Sequence, residues 1–361
     1  MVQPFVYDQR PGRVVFGPGR LADTPGEVER HGIARPMLVA DRAAAAYAER
    51  VRGELDPALE WDEVVQHVPA DLAARARQAA TDACVDGVVC VGGGSATGLA
   101  KAIALSHRVP IVAVPTTYAG SEQTAIYGIT APADGVGRKE TGTDPAVLPR
   151  VVIYDPELTV GLPASVTGPS AFNALAHAVE ALYAPGHNPV VSALALEGVR
   201  AVNDSLPAVI GAPGDVDARG ELLYGAYLCG VALGATSAGL HHKICHALGG
   251  MFDLVHADAH SVVLPHAIAF TAPAIPGEAT RLAAALRADD GDAAGALWDL
   301  AERSGVPTRL ADLKGADGPL TRVDLAAVAQ QVVAAGVPNP RPYDAADIEA
   351  LLGRAFDGRR P

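Results

Sequence analysis

The chain has 361 residues, 49% of them hydrophobic and 19% charged, so it folds as a globular protein, and at roughly 150 residues per domain it has room for two. A formal charge of -13 argues against the phosphate backbone of a nucleic acid and an anionic membrane surface as partners. The four cysteines show neither C-x-x-C spacing nor a disulfide framework, and the opening MVQPFVYDQRPGR lacks a basic-then-apolar leader pattern; a reducing cytoplasm is the expectation.

In chain order, PMLVAD (36–41), GVVCV (87–91), PIVAV (110–114) and RVVIY (150–154) are β-branched runs bounded by turn residues. They read as buried parallel strands. Ala-rich amphipathic stretches near 43–56, 70–84 and 96–107 alternate with them, which predicts an α/β layer. After Asp155-Pro156 helical periodicity takes over, with breaks at Ala184–Gly186, Gly211–Gly214 and Val337–Pro342. The expected division is therefore an α/β domain over 1–158 and an all-helical domain over 159–361. From Leu222 to Leu240 there are 19 residues without a charge, close to membrane-span length. Their Ala and Gly content predicts a buried helix instead.

Gly92-Gly93-Gly94-Ser95 follows a strand and opens a helix. Backbone N–H groups, the positive end of the helix dipole and the lack of Cβ atoms suit that place to an anion, although a tight structural turn is the competing reading. Asp41 ends the strand upstream. An acidic residue there binds ribose hydroxyls in dinucleotide-binding sheets, and a plain helix N-cap is the alternative. Pro115-Thr116-Thr117-Tyr118-Ala119-Gly120-Ser121-Glu122 brings further hydroxyls to the end of the next strand.

Six of the eleven histidines, His241, His242, His246, His256, His260 and His266, fall within 26 residues. His242 and His246 are i, i+4 neighbours, and another predicted helix aligns Asn173, His177 and Glu180. The readings are a metal site, a proton-transfer site or a set of core histidines.

The opening FVYDQRPGRVVFGPGRL, GGGSATGLAKAIAL, PIVAVPTTYAGSE, TGTDPAVLPRVVIYDPELT, GPSAFNALAHAVEALYA, LHHKICHALGG with HADAH, and NPRPYDAADIEALL together resemble the iron-containing alcohol dehydrogenase family, and within it the maleylacetate reductases. The resemblance implies a Rossmann-like N-terminal domain with a parallel sheet, an all-α C-terminal domain in a dehydroquinate synthase-like architecture, and a cleft between them. It assigns the cofactor's pyrophosphate to Gly92, Gly93, Gly94 and Ser95, its ribose to Asp41, and its remainder to Thr116, Thr117 and Lys139. Metal-dependent relatives hold their ion with an Asp and three histidines. The matching positions here are Asn173, His177, His242 and His256, and His246 matches the histidine near the nicotinamide. An amide replaces the one anionic ligand, so the expectation is a metal-free histidine pocket.

The implied activity is NAD(P)H-dependent reduction of the conjugated C=C of maleylacetate to 3-oxoadipate, or of a related unsaturated oxo-acid, in aromatic-compound degradation. NADH is the expected cofactor, because the Asp41 carboxylate repels a 2′-phosphate. His242, His246 and Lys243 are the expected catalytic residues, and Tyr118, Asn173, His177 and His256 the substrate contacts. The substrate is a small dicarboxylate and the assembly a homodimer. The alternatives are a metal-dependent alcohol or glycerol dehydrogenase, a non-redox lyase or cyclase resembling 3-dehydroquinate synthase, and a binding or structural protein.

Overall fold

The computed structural model describes Phe5, Tyr7 and residues 12–133, 136–315 and 318–361, with the flanks 131–133 and 136–139 as backbone alone. Its contacts divide into two compact units. One comprises Gln9–Leu162 with Gly214–Leu223, and the other comprises Pro163–Pro213 and Tyr224–Pro361 together with the chain start.

The first unit is a six-stranded sheet with helices. Its strands are β1 (Arg13–Phe16), β2 (Pro36–Ala40), β3 (Leu59–Trp61), β4 (Gly87–Gly92), β5 (Ile111–Pro115) and, after the antiparallel hairpin of β6 (Ile126–Ala133) and β7 (Val136–Thr143), β8 (Val151–Tyr154). The sheet order is β1-β8-β5-β4-β2-β3, and every neighbouring pair is parallel. The helices are α1 (Thr24–Arg30), α2 (Ala45–Leu55), α3 (Ala70–Asp82) and α4 (Gly94–His107). Strands β2, β4, β5 and β8 are buried along their whole length, which is why their sequences are continuous apolar runs rather than alternating ones. The edge strands β1 and β3 are partly exposed and went unpredicted.

The second unit is helical: α5 (Ala164–Ala181), α6 (Pro189–Gly211), α7 (Val216–Gly234, which begins in the first unit), α8 (Leu240–Phe252), α9 (His256–Thr271), α10 (Pro276–Ala285), α11 (Ala293–Arg303), α12 (Arg322–Ala334) and α13 (Ala345–Asp357). Two two-residue strands, β9 (Lys314–Gly315) and β10 (Gly318–Pro319), pair antiparallel. Helix α9 is the hub and packs on α5, α8, α11 and α13.

Close packing explains the uncharged Ala/Gly run. A Cβ on Gly198 of α6 would stand 3.1 Å from Gly225 O, and one on Gly225 would stand 3.0 Å from Val202 N. The small residues let the two backbones touch. Among the described residues, no helix is long and apolar enough to cross a membrane.

Candidate active site

Two constellations form, one in each unit. The first lies at the carboxyl ends of β2, β4 and β5. Helix α4 starts with Gly93 as its N-cap, and no side chain caps it, so its first N–H groups stay open to an anion. Gly92 has φ +153°, a backbone position that side chains disfavour. A Cβ there would stand 2.6 Å from Asp41 Oδ2 and 2.9 Å from the Ala96 Cβ. On Gly93 it would meet Thr117 Cγ2 at 3.1 Å, and on Gly94 the Ala119 Cβ at 3.4 Å. Backbone approach therefore needs glycine here, which is the cradle a pyrophosphate requires.

Asp41 caps the turn after β2, its Oδ1 accepting from Ala44 N at 2.8 Å, while Oδ2 accepts from Gly93 N at 3.3 Å. The N-cap reading thus describes its geometry, and its second oxygen lies at the glycine turn. Ser95 is half-buried in the first turn of α4, and the buried Thr116 donates its N–H to Gly92 O at 3.0 Å. Lys139 lies on β7, and its side chain falls outside the described ones.

Tyr118 departs from expectation. It is fully buried, and its hydroxyl donates to Thr159 Oγ1 at 3.0 Å and accepts from Arg219 Nη1 at 3.1 Å. Engaged on both sides in the interior, it props the loop after β5 and is not placed to hold substrate oxygens.

The sequence reading also passed over Lys101. Its buried ammonium donates to Ser121 O (2.6 Å), Thr124 O (2.9 Å), Thr124 Oγ1 (3.0 Å) and Ile126 O (2.8 Å), tying α4 to the loop that follows β5. The Ser121 hydroxyl in that loop is buried without a hydrogen-bond partner.

The second constellation stands on α5, α8 and α9. Glu180, wholly buried on α5, receives Gly239 N and His241 N at 2.7 Å each and His242 Nδ1 at 2.5 Å. One carboxylate thus caps the start of α8 and fixes the tautomer of His242, leaving Nε2 as the ring's open atom. That Nε2 is buried and has no protein partner. The His177 ring stacks on His242 with centroids 5.1 Å apart. His246 lies edge-on to His242 at 6.2 Å and stacks on His256 at 5.6 Å. A chain of hydrogen bonds runs inward from His256 Nε2 to His260 Nε2 (3.0 Å) and from His260 Nδ1 to His241 Nε2 (2.8 Å). Asn173 is buried on α5, and Lys243 is half-buried on α8.

Five of the six clustered histidines therefore meet, joined by His177. The sixth, His266, lies apart, edge-on to Trp298 at 5.6 Å and buried. Burial, with smaller contributions from neighbouring rings, holds His177, His241 and His260 well below the ordinary histidine range, so they are neutral at pH 7.

At the four positions that hold a metal in metal-dependent relatives, His177 Nδ1 and His242 Nε2 are buried without a hydrogen-bond partner. His256 spends Nε2 on His260, and Glu180 spends its oxygens on His242 and backbone. The remaining donors at those positions are neutral imidazoles and an amide. Among the described residues, His241, Cys245 and His260 bring ligand atoms within 4.8 Å of one another. Burial raises the Cys245 thiol well above its ordinary range.

The family profile described as iron-containing alcohol dehydrogenase matches residues 11–156, and the C-terminal profile of the Fe-containing alcohol dehydrogenase family matches 167–356. A maleylacetate reductase of Burkholderia cepacia is 46% identical over 359 residues, 99% of each chain. The crystal structure of maleylacetate reductase from Agrobacterium tumefaciens superposes with a TM-score of 0.91 at 45% identity, over 99% of this chain and all of that one. The enzyme of that name from Rhizobium sp. gives 0.91 at 44%, with the same coverage. The chain belongs to the iron-containing alcohol dehydrogenase family.

Proposed function

We propose that this chain is an NAD(P)H-dependent maleylacetate reductase, converting maleylacetate to 3-oxoadipate. The observation that carries the reading is end-to-end likeness, above 40% identity, to several proteins bearing that name. The site chemistry agrees with it. Bound NAD(P)H supplies the hydride that adds to the electron-poor alkene. What remains for the chain is to stabilise the resulting enolate and to deliver one proton to the neighbouring carbon.

The open N–H groups at the start of α4, with Gly92, Gly93, Gly94 and Ser95, hold the pyrophosphate, and Thr116 and Thr117 border it. Asp41 accepts from a ribose hydroxyl and disfavours a 2′-phosphate, so NADH is preferred over NADPH. In the helical unit Glu180 accepts from His242 Nδ1–H, so Nε2 delivers a proton to the substrate only from the doubly protonated ring. His246 partners the enolate oxygen or shares the donor role. His177, neutral and stacked on His242, orients and does not protonate. Lys243 draws in the dianionic substrate, and Asn173 and His256 complete its contacts. Asn173 stands where metal-dependent relatives have their anionic ligand, and the three histidines that remain match the donor set of an open zinc site, so the reading of a metal-free turnover rests on that one lost charge.

The deciding measurement is anaerobic NADH oxidation with maleylacetate set against a panel of aldehydes, ketones and other unsaturated dicarboxylates. Turnover of maleylacetate at the highest kcat/KM is expected, unaffected by prolonged EDTA or phenanthroline. Preference for a simple alcohol–aldehyde pair, with activity lost on chelation and restored by iron or zinc, would move the assignment to the metal-dependent dehydrogenases.

A further inference from the structure

The amino ends of three adjacent strands, β1, β8 and β5, meet at a cavity of about 590 Å³. Arg13 opens β1, Arg150 immediately precedes β8, and Pro110 leads into β5. The backbone sets their spacing, with Arg13 N donating to Arg150 O at 3.0 Å and Arg150 N donating to Ile111 O at 2.9 Å. His31 at the end of α1 and Arg108 at the end of α4 complete the polar lining.

Three guanidinium groups and an imidazole thus border one cavity in a chain of net charge -13. Two of the arginines are partly engaged. Arg13 Nε donates to both oxygens of Glu27 at 3.0 and 2.8 Å, and Arg108 Nη1 donates to both oxygens of Asp144 at 2.8 and 2.7 Å. Each keeps further N–H donors, since a guanidinium has five. Arg150 is exposed and makes no side-chain hydrogen bond or ion pair with the described residues, whereas His31 Nε2 is sealed from solvent and so from the cavity. Glu27, which Arg30 also approaches at 3.7 Å, and Asp144 are the carboxylates paired with Arg13 and Arg108, and Arg150 has none.

The placement is informative because it is the wrong edge of the sheet for a backbone-held anion. Helices α1 and α4 both end there, presenting carbonyls rather than N–H groups. Cations at helix C-termini account for Arg108 and His31 without any ligand. They do not account for Arg150, which belongs to a strand start.

We propose that this cavity binds a small, doubly charged oxyanion through Arg150, assisted by Arg13 and Arg108. It is a second anion site, on the edge of the sheet opposite the glycine turn. Inorganic phosphate and a short dicarboxylate share the chemistry it recognises, namely paired oxygens facing guanidinium forks.

The test is thermal unfolding of the full chain with saturating NAD⁺, which fills the glycine turn. Sodium phosphate and, in parallel, sodium succinate are titrated against sodium chloride at equal ionic strength. A saturable rise in Tm with at least one oxyanion and none with chloride is expected, and the larger response names the class. Arg150→Ala should raise the midpoint concentration for that anion about tenfold, with Tm in chloride and kcat unchanged. Three outcomes overturn the proposal: an equal rise in chloride, a response undiminished in Arg150→Ala, or an altered elution volume for that variant. The last would make the cavity an interface between copies of the chain.

Discussion

The glycine turn and the histidine cluster solve opposite problems with opposite materials. The turn is made of backbone: open N–H groups of α4, a φ of +153° at Gly92, and side chains kept out of the way. The cluster is made of side chains held by one buried carboxylate, Glu180, reaching from α5 to α8. Damage to the first should therefore appear in cofactor affinity. Damage to the second should appear in the chemical step and in stability. If the two kinds of loss crossed over, the distinction would fail.

The largest effect belongs to Glu180→Ala. Two N–H groups and His242 Nδ1 lose their acceptor at once in a dry interior, at a cost of about 3–5 kcal/mol. Urea midpoints would register it, and kcat should fall on the order of a hundredfold with KM for NADH little changed.

Acid comes next and acts on the helical unit. Burial lowers His266 from the ordinary 6.5 to about 4, and His177, His241 and His260 shift in the same direction. The unfolded chain then binds protons that the folded chain refuses. The stability tied to His266 is complete above pH 6.5 and drains away as pH falls towards 4, by about 3 kcal/mol. Denaturant titrations of the wild type and of His266→Leu, which cannot titrate there, should show a shallower pH slope for the variant across that window. Parallel slopes would count against a neutral buried His266.

Gly92→Ala imposes backbone strain of about 1–3 kcal/mol and pushes on Asp41. KM for NADH should rise at least about tenfold while kcat at saturation stays within roughly threefold. Smallest is Asp41→Ala. If the carboxylate selects against a 2′-phosphate, the ratio of kcat/KM for NADH over NADPH should shrink by about a factor of ten. An unchanged ratio would leave Asp41 with its capping role alone.

The same contrast explains what was legible in the sequence. Strands β2, β4, β5 and β8, with α2, α3 and α4, announce themselves because their burial is continuous and turn residues punctuate them. The edge strands β1 and β3 are three or four residues long and half in solvent, so no apolar run marks them. The β6–β7 hairpin, IYGITAPA and VGRKETGT, is interrupted by glycines and a proline and carries three charges in β7, so its alternation is too broken to read as strand.

The glycine turn is local and could be read locally. Glu180 could be placed on a helix face, but its partners lie 59–62 residues further along, a distance no periodicity reports. For the same reason Tyr118, an aromatic hydroxyl in a ligand-edge loop, looked like a substrate contact. Its true partner, Arg219, is 101 residues away.

That pairing bears on the order in which the chain can close. Gly214–Leu223 packs with the α/β unit although α5 and α6 of the helical unit intervene in sequence. Within the segment the buried Arg219 reaches the Tyr118 hydroxyl and Leu162 O. A nascent chain released only as far as Leu162 holds all six sheet strands but lacks the guanidinium that fills this interior position. The unit that begins folding first is therefore completed only after two helices of its neighbour have been made, and a fragment cut at the unit border would carry an open seam beside the cofactor loop.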